Sequence, residues 1–430
     1  METTIKIMPS NRYSSYKDSG IEWVEDVPVH WEVKKFKRVF YEIKKRCNPN
    51  LNCGSISFGK VVYKDDEKIP ESTKKSYQVV NKGDFLVNPL NLNYDLISLR
   101  IALSDIDVVV SSGYIVLSNS VQLDKTFYKY FLHRFDVAFM KLLGSGVRQT
   151  LNWNDIANCD LIFPPLPEQT AIAEFLDRKT ALIDQAIDIK QKQIELLKER
   201  KQILIHKAVT RGLNSDVKMK HSGNKAVGDI PEHWQINKLR NSLKPVSIKN
   251  HPDLPLLSIT RELGVIERNI DDPEENHNFI PDDLAGYKLI KTGQFGMNKM
   301  KAWQGSYGIS SFTGIVSPAY FVFDLISDIV PTFFHLAIRS KFYIPFFVQA
   351  SDGVRIGQWD LSKERMKEIP IIIPPVDEQM QIVSFIDRAS EKIMVAINAK
   401  EQEIEKLKEY KATLINSAVT GKIKVYNDAK

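Results

Sequence analysis

The chain has 430 residues, Lys+Arg 59 against Asp+Glu 53, a formal net charge of +6 and 43% hydrophobic residues. At one domain per ~100–200 residues, this length predicts two to four domains, each able to bury its own core. The composition excludes global disorder, no run reaches the ~18 consecutive apolar residues of a membrane span, and the charge is only weak support for a polyanionic partner.

The opening METTIKIMPSNRYSSYKDSG lacks an apolar signal core, so a cytoplasmic location is expected. Cys47, Cys53 and Cys159 are too few for a disulfide framework, and no second pair completes a zinc site with Cys47 and Cys53. No metal is expected.

Residues 21–165 form a first mixed region. Its β-rich runs, ISFGKVVY (56–63) and DVVVSSGYIVL (107–117), lie between turn signals. The stretch KTFYKYFLHRFDVAFMKLL (125–143) has helical spacing, and its aromatics read as core. Asn88, Asn91, Asn93 and Tyr94 occupy a turn-rich stretch, and Arg148-Gln149 end the sequence GVRQ. Pro164-Pro165 then precedes a long helix, 166–212. In it Leu176, Ile183, Lys190, Leu197 and Leu204 recur every seven residues, with Ile187, Ile194, Lys201 and Ala208 as a second row. That is the seam of a coiled coil.

The second half repeats the first. Residues 168–211 and 378–421, shifted by 210 positions without a gap, are identical at 21 of 44 pairs. VPVHWEVKKF (27–36) answers IPEHWQINKL (230–239), KGDFLVN (82–88) answers KTGQFGMN (291–298), and GVRQTLNW (146–153) answers GVRIGQW (353–359). A second mixed region spans 226–373, with the β-rich run IVSPAYFVF (315–323) and the helical stretch 331–349. A second long helix spans 374–421, its seam being Ile386, Ile393, Lys400, Leu407 and Leu414 with Ile397, Ile404, Lys411 and Ala418. Neither stripe can be buried alone, so the two helices are expected to pair through Leu176, Ile183, Ile187, Ile194, Leu197 and Leu204 against Ile386, Ile393, Ile397, Ile404, Leu407 and Leu414. The seam lysines either fix register or extend their heads to water.

Catalytic patterns are absent: no GxGxxG after a strand, no phosphate loop, no HExxH, and Asn88-Pro89-Leu90 lacks the second proline and aromatic of an adenine methyltransferase. His30-Trp31 and His233-Trp234 follow prolines at the start of each half, where packing is the expected role. What remains is amide-rich, basic loop chemistry. To the first-half candidates the second half adds Asn298, Lys299, Lys301, Trp303 and Tyr307, then Arg355 and Gln358. Arginine reads guanine, and asparagine or glutamine reads adenine, by paired hydrogen bonds. The GVR arginines stand in both halves, which fits shared structure as well as base reading.

Two divergent domains, each closed by a PP-x-x-EQ helix (PPLPEQTAIAEFLDRKTALID and PPVDEQMQIVSFIDRASEKI) ending in AVTRG or AVTGK, resemble the specificity subunit of type I restriction-modification systems. The opening W-x-x-x-x-P-x-H-W at Trp23–Trp31 adds to the resemblance, which spans essentially the whole chain; the second opening keeps only Pro231-x-His233-Trp234. The resemblance implies an α+β fold in which two pseudo-repeated mixed target recognition domains, 1–165 and 226–373, are separated by two long antiparallel coiled-coil helices. It implies a non-catalytic subunit whose domains each read half of a bipartite site on double-stranded DNA. It also implies that the helices recruit two methyltransferase subunits and, through them, restriction subunits. S-adenosylmethionine is then expected in the methyltransferase, ATP and Mg in the restriction partner, and no cofactor in this chain. A coiled-coil scaffold without DNA binding would explain the helices but not the duplicated, divergent domains.

Overall fold

The computed structural model describes residues 12–90, 99–140, 151–268, 281, 283–326, 328–355 and 358–425, apart from the side chains of Lys68, Val354, Arg355 and Gln358. Asn91, Asn93, Tyr94, Arg148 and Gln149 lie outside the described residues. The chain divides into two compact units, Met1–Ile189 with Glu403–Lys430, and Lys190–Gln402. Each unit therefore contains one of the two mixed regions, part of the long helix that follows it, and part of the other long helix.

In the first unit β1 (Glu32–Lys35) pairs with β6 (Asp160–Phe163), so the ends of the domain are tied together. Between them β2 (Phe40–Glu42), β3 (Phe85–Val87), β4 (Ile101–Leu103) and β5 (Ile115–Asn119) form an antiparallel sheet in the order β2-β5-β3-β4. Phe85, Leu86 and Val87 are all buried, as a central strand covered on both faces requires. Helix α1 (Lys125–Ala138) starts where the Asp124 side chain accepts the Phe127 N–H at 2.9 Å. Phe127, Phe131 and Phe135, four residues apart, put its aromatic face into the core.

The second unit repeats this plan. β7 (Gln235–Lys238) pairs with β14 (Pro370–Ile373). β8 (Leu243–Val246), β9 (Phe295–Asn298), β10 (Tyr307–Ile309) and β11 (Tyr320–Leu325) form the sheet β8-β11-β9-β10. The helical stretch expected at 331–349 is broken here. It forms α3 (Pro331–Ile338) and a short helix Ile344–Gln349, because Pro345 cannot donate the N–H that a continuous helix would need. The β-rich run 56–63 lies in a hairpin, Gly54–Ser57 with Lys60–Tyr63. A second hairpin, β12 (Ser351–Arg355) with β13 (Gln358–Leu361), carries the second GVR sequence.

The long helices are α2 (Leu166–Arg211) and α4 (Val376–Val419). The motifs around them lock each domain to both. Buried Glu168, in the first turn of α2, accepts from Trp31 Nε1 at 3.1 Å and Tyr13 Oη at 2.7 Å, with His30 Nε2 at 2.5 Å. In the second unit Glu378 of α4 accepts from Trp234 Nε1 at 2.9 Å, with His233 Nε2 at 2.8 Å. The neighbouring glutamines are fully buried. Gln169 Oε1 takes the N–H of Asp124, the residue capping α1, and Gln379 Oε1 takes that of Val330, which caps α3. The glycines of AVTRG and AVTGK follow the helices at φ +77 and +74, and a Cβ on Gly212 or Gly421 would stand 3.1 or 3.0 Å from the ring of Trp234 or Trp31. Trp23 packs on Phe131 and Phe135, with ring centroids 5.5 and 6.1 Å apart; the aligned position in the second unit is Ala226, so this packing is not repeated.

Of the seam residues in the first unit, Leu176, Ile183 and Ile404 are buried and Ile187, Leu407 and Leu414 half-buried. There Lys411 Nζ lies 2.7 Å from both carboxylate oxygens of Asp184, while Glu168 at the α2 start shares its junction with Gly421 beyond the α4 end. Those two correspondences make the helices antiparallel in this unit. In the second unit Ile194, Ile386, Ile393 and Ile397 are buried and Leu197 and Leu204 half-buried. Leu182, Ile189, Leu196 and Ile203, also seven residues apart, are exposed on another face of α2.

Two histidines turn inward from the domain helices, His133 on α1 and His335 on α3. Burial first, then Lys129 beside His133 and Arg339 beside His335, push each imidazole down to about 4. Both are neutral in the fold at neutral pH. Between the ordinary value of about 6.5 and about 4 the unfolded chain binds protons that the folded chain refuses, so stability falls as pH drops through this window. The expected loss is on the order of 2 kcal/mol per histidine. Urea midpoints measured from pH 7 to 4.5 should show it, and the double variant His133→Asn/His335→Asn should flatten the profile. An equally steep profile in that variant would assign the acid sensitivity to other groups.

Candidate nucleic-acid interface

The connections β3–β4 (88–100) and β9–β10 (299–306) occupy equivalent places in the two units; Asn88 opens the first, and Asn298 is the last strand residue before the second. Asn88 Oδ1 accepts the Leu90 N–H and Asn298 Oδ1 accepts the Met300 N–H, both at 3.1 Å. Asn298 is buried and its Nδ2 donates to Tyr320 Oη at 3.2 Å. These are turn-forming side chains. Asn298 therefore does not present its amide to a base. Tyr307 is also corrected: its ring is fully buried, 4.3 Å from that of Phe347, and burial pushes its hydroxyl far above the usual range. It belongs to the core of the second unit.

Other candidates converge on one surface. Lys299 Nζ lies 3.2 Å from Asp360 Oδ1 on β13, and Leu361 N–H donates to the Lys299 carbonyl at 3.2 Å, tying the 299–306 connection to the β12–β13 hairpin. Trp303 stacks on Trp359 with centroids 5.0 Å apart and planes 23° apart. Arg355 and Gln358 are opposite one another at the end of that hairpin, by backbone register. Lys301, between Lys299 and Trp303 in sequence, is exposed. The surface also holds lysines that no sequence pattern singles out. The ammonium of Lys288 is pushed down, first by burial and then by Lys249, Lys363 and Lys299. Positive charge gathered around Lys288 suits a polyanion. The four lysines come from positions 249, 288, 299 and 363, far apart along the chain.

Among the described residues no group of His, Cys, Asp and Glu could hold a metal ion, and no helix is long and apolar enough to cross a membrane.

A duplicated α+β domain with variable loops on a constant frame and a basic, aromatic surface defines a recognition protein. The sequence profile of the type I restriction modification DNA specificity domain matches residues 28–199 and 304–406, and the chain belongs to this family. A putative type I restriction enzyme MjaX specificity subunit of Methanocaldococcus jannaschii is 23% identical over 447 residues, covering 95% of this chain and 98% of that protein. The type I restriction enzyme MjaVIII specificity subunit of the same organism is also 23% identical, over 425 residues, covering 93% and 95%. A chain from a structure concerning complex assembly and conformational transition of the type I R-M system superposes with TM-score 0.64 at 13% identity, covering 91% of this chain and 98% of that one. This chain is thus a DNA specificity subunit of the type I restriction-modification class.

Proposed function

We propose that each recognition domain reads one half of a bipartite site in double-stranded DNA, and that the chain itself performs no chemistry. The observation that carries this reading is the contrast between constant and variable parts. Both domains keep the same sheet order and the same Trp–Glu–Gly junction with the long helices, yet differ in the β3–β4 and β9–β10 connections. A common frame with different reading loops suits two different half-sites.

The long helices recruit two methyltransferase subunits, and restriction subunits join through them. The exposed row Leu182, Ile189, Leu196 and Ile203 supports this, since an apolar stripe at heptad spacing suits a partner helix. S-adenosylmethionine belongs to the methyltransferase, and ATP with Mg to the restriction subunit.

With its purified methyltransferase partner and S-adenosylmethionine, the chain should direct adenine methylation to one bipartite sequence, mapped by sequencing modified DNA. Methyl transfer by this chain alone, or methylation without sequence preference, would remove the reading. DNA-binding titrations at several salt concentrations test the lysine cluster. Lys288→Ala with Lys299→Ala should weaken DNA binding and lower the slope of log K against log salt by roughly 2, since each phosphate left without its lysine lowers the slope by about one. An unchanged slope would place the cluster away from DNA.

A further inference from the structure

Phe58 and Leu263 are the two most exposed large apolar side chains among the described residues, at 77% and 69%. They occupy the tip of the same hairpin in the two units. In the first, Gly54–Ser57 and Lys60–Tyr63 are joined by Phe58-Gly59; in the second, Leu257–Thr260 and Gly264–Glu267 are joined by residues 261–263. Isolated exposed apolar side chains are ordinary on protein surfaces. Two at equivalent tips of domains whose loops otherwise differ are a repeated feature.

Both tips are rigidly seated. Phe58 has φ +46 and Gly59 +72, the left-handed pair of a tight hairpin turn, in which asparagine or glycine would sit with less strain than phenylalanine. In the second unit Arg339 Nη2 donates to the carbonyls of Arg261 and Glu262 at 2.9 and 2.8 Å, and the Leu263 N–H donates to Thr260 Oγ1 at 3.1 Å. The glycine after each apolar residue, Gly59 or Gly264, lies against the inward histidine of its domain helix. A Cβ there would be 3.2 Å from the His133 ring or 3.4 Å from the His335 ring.

The tips adjoin the loops already singled out. Leu99, in the β3–β4 connection, has its Cδ1 2.8 Å from the Cβ position of Gly59. Arg339, which holds the second tip, also donates from Nη1 to the Tyr307 carbonyl at 2.6 Å, where the 299–306 connection enters β10. A rigid apolar side chain held out beside groove-reading loops is the device that opens a base step: aliphatic and aromatic side chains wedge between base pairs, and aromatic rings also stack on single bases.

We propose that Phe58 and Leu263 are DNA wedges, each entering the stack at one fixed base step of its own half-site. This rests on the reading of the chain as a two-half-site DNA specificity subunit. The cost of opening a step depends on its sequence and is least at pyrimidine–purine steps. Each half-site therefore contains a deformable step selected without hydrogen bonds to its bases.

The test uses the full chain assembled with its methyltransferase, bound to duplexes in which 2-aminopurine replaces bases one at a time across the mapped site. Fluorescence should rise at one position in each half on binding. Phe58→Ser should abolish the rise in one half only and weaken binding at least tenfold; Leu263→Ser should do so in the other half; Phe58→Trp should retain the signal. Because both side chains are exposed, melting temperatures should stay within about 2 °C of wild type. Unchanged affinity and unchanged fluorescence in both serine variants would overturn the proposal. So would loss of methyltransferase binding with the chain's own DNA affinity intact, since the tips would then dock protein. A wild-type assembly without sequence-specific binding would bring down the parent reading as well, whereas specific binding unaffected by the variants removes the wedge alone.

Discussion

Trp31→Ala should cost the first unit about 4 kcal/mol, within the ~3–5 kcal/mol typical of truncating a buried tryptophan. The indole is fully buried and stands edge-on to Tyr13, with centroids 5.9 Å apart. It also closes over Gly421 at the end of α4. Removing it leaves a cavity where the domain meets both long helices, and deprives the buried Glu168 carboxylate of the Nε1 donor at 3.1 Å. Tyr13 and His30 still reach that carboxylate, so the missing hydrogen bond adds only ~1 kcal/mol. Trp31→Phe separates the two effects: it keeps most of the volume and should cost about 1–2 kcal/mol. With total stabilities of about 5–15 kcal/mol, Trp31→Ala should unfold at clearly lower urea, followed by far-ultraviolet circular dichroism. A stability within about 1 kcal/mol of wild type would mean that the junction relaxes around the loss and does not anchor the domain.

That junction explains which parts of the molecule could be read in one dimension. The constant parts of the two copies are those whose physics is the same in both units. Glu168 and Glu378 each receive an indole N–H, Gln169 and Gln379 each accept the backbone N–H of the residue just before a domain helix, and Gly212 and Gly421 each lie against a tryptophan ring. A constraint met twice leaves the same residues in the same order in both copies, 203 positions apart for the tryptophans, 210 for the Glu-Gln pairs and 209 for the glycines, so the duplication was visible without any structure. The seven-residue rows were visible for a related reason, since a helix that buries one face repeats that face along the chain. The meaning of the motifs was not visible. His-Trp and Glu-Gln are 138 residues apart in the first copy when measured from His30 to Glu168, and only folding joins them.

The candidate interface was less legible. Asn298 and Tyr307 have the residue types that read bases, but composition does not say which way a side chain faces. Asn298 turns inward to form its own loop, and Tyr307 fills the core. Conversely, Lys249, Lys288, Lys299 and Lys363 are ordinary one by one in a chain with 59 basic residues, and only the fold brings the other three near Lys288. Phe58 carried an opposite signal in sequence. It lies inside the β-rich run ISFGKVVY, where Phe58-Gly59 is the turn of a hairpin. A Phe-Gly turn lacks the Asn-Gly or Asp-Gly signature, so local chemistry argued against the conformation the fold imposes.

A charge buried in the first unit gives the second large effect. Asp136 of α1 is fully buried; its Oδ2 accepts the backbone N–H of Arg100 at 2.6 Å and its Oδ1 accepts Arg100 Nε at 2.8 Å. Arg100 is itself buried, and its Nη2 has no hydrogen-bond partner among the described residues, so the carboxylate is the main compensation for the guanidinium. Asp136→Ala strands that cation and removes the acceptor of a buried backbone N–H, for an expected cost of about 3–5 kcal/mol. Asp136→Asn retains an acceptor but not the charge, and should recover only part of the loss. Arg100→Met with Asp136→Leu replaces the pair by apolar groups of similar size and should be much closer to wild type than either single change, because desolvation of the ions offsets most of their attraction. The consequence should be confined to one half of the site. Arg100 leads directly into β4 and closes the 88–100 connection, its carbonyl accepting the Asn88 N–H as the Ser306 carbonyl accepts that of Asn298. The second unit therefore has Ser306 and Ile338 where the first has Arg100 and Asp136, and no such ion pair can form there. Methylation mapping of an Asp136→Ala assembly should accordingly show relaxed reading of the first half-site with the second retained. Equal loss in both halves would mean that the pair supports assembly of the whole subunit, and a full-strength first half-site would mean that the β3–β4 connection is held in place without it.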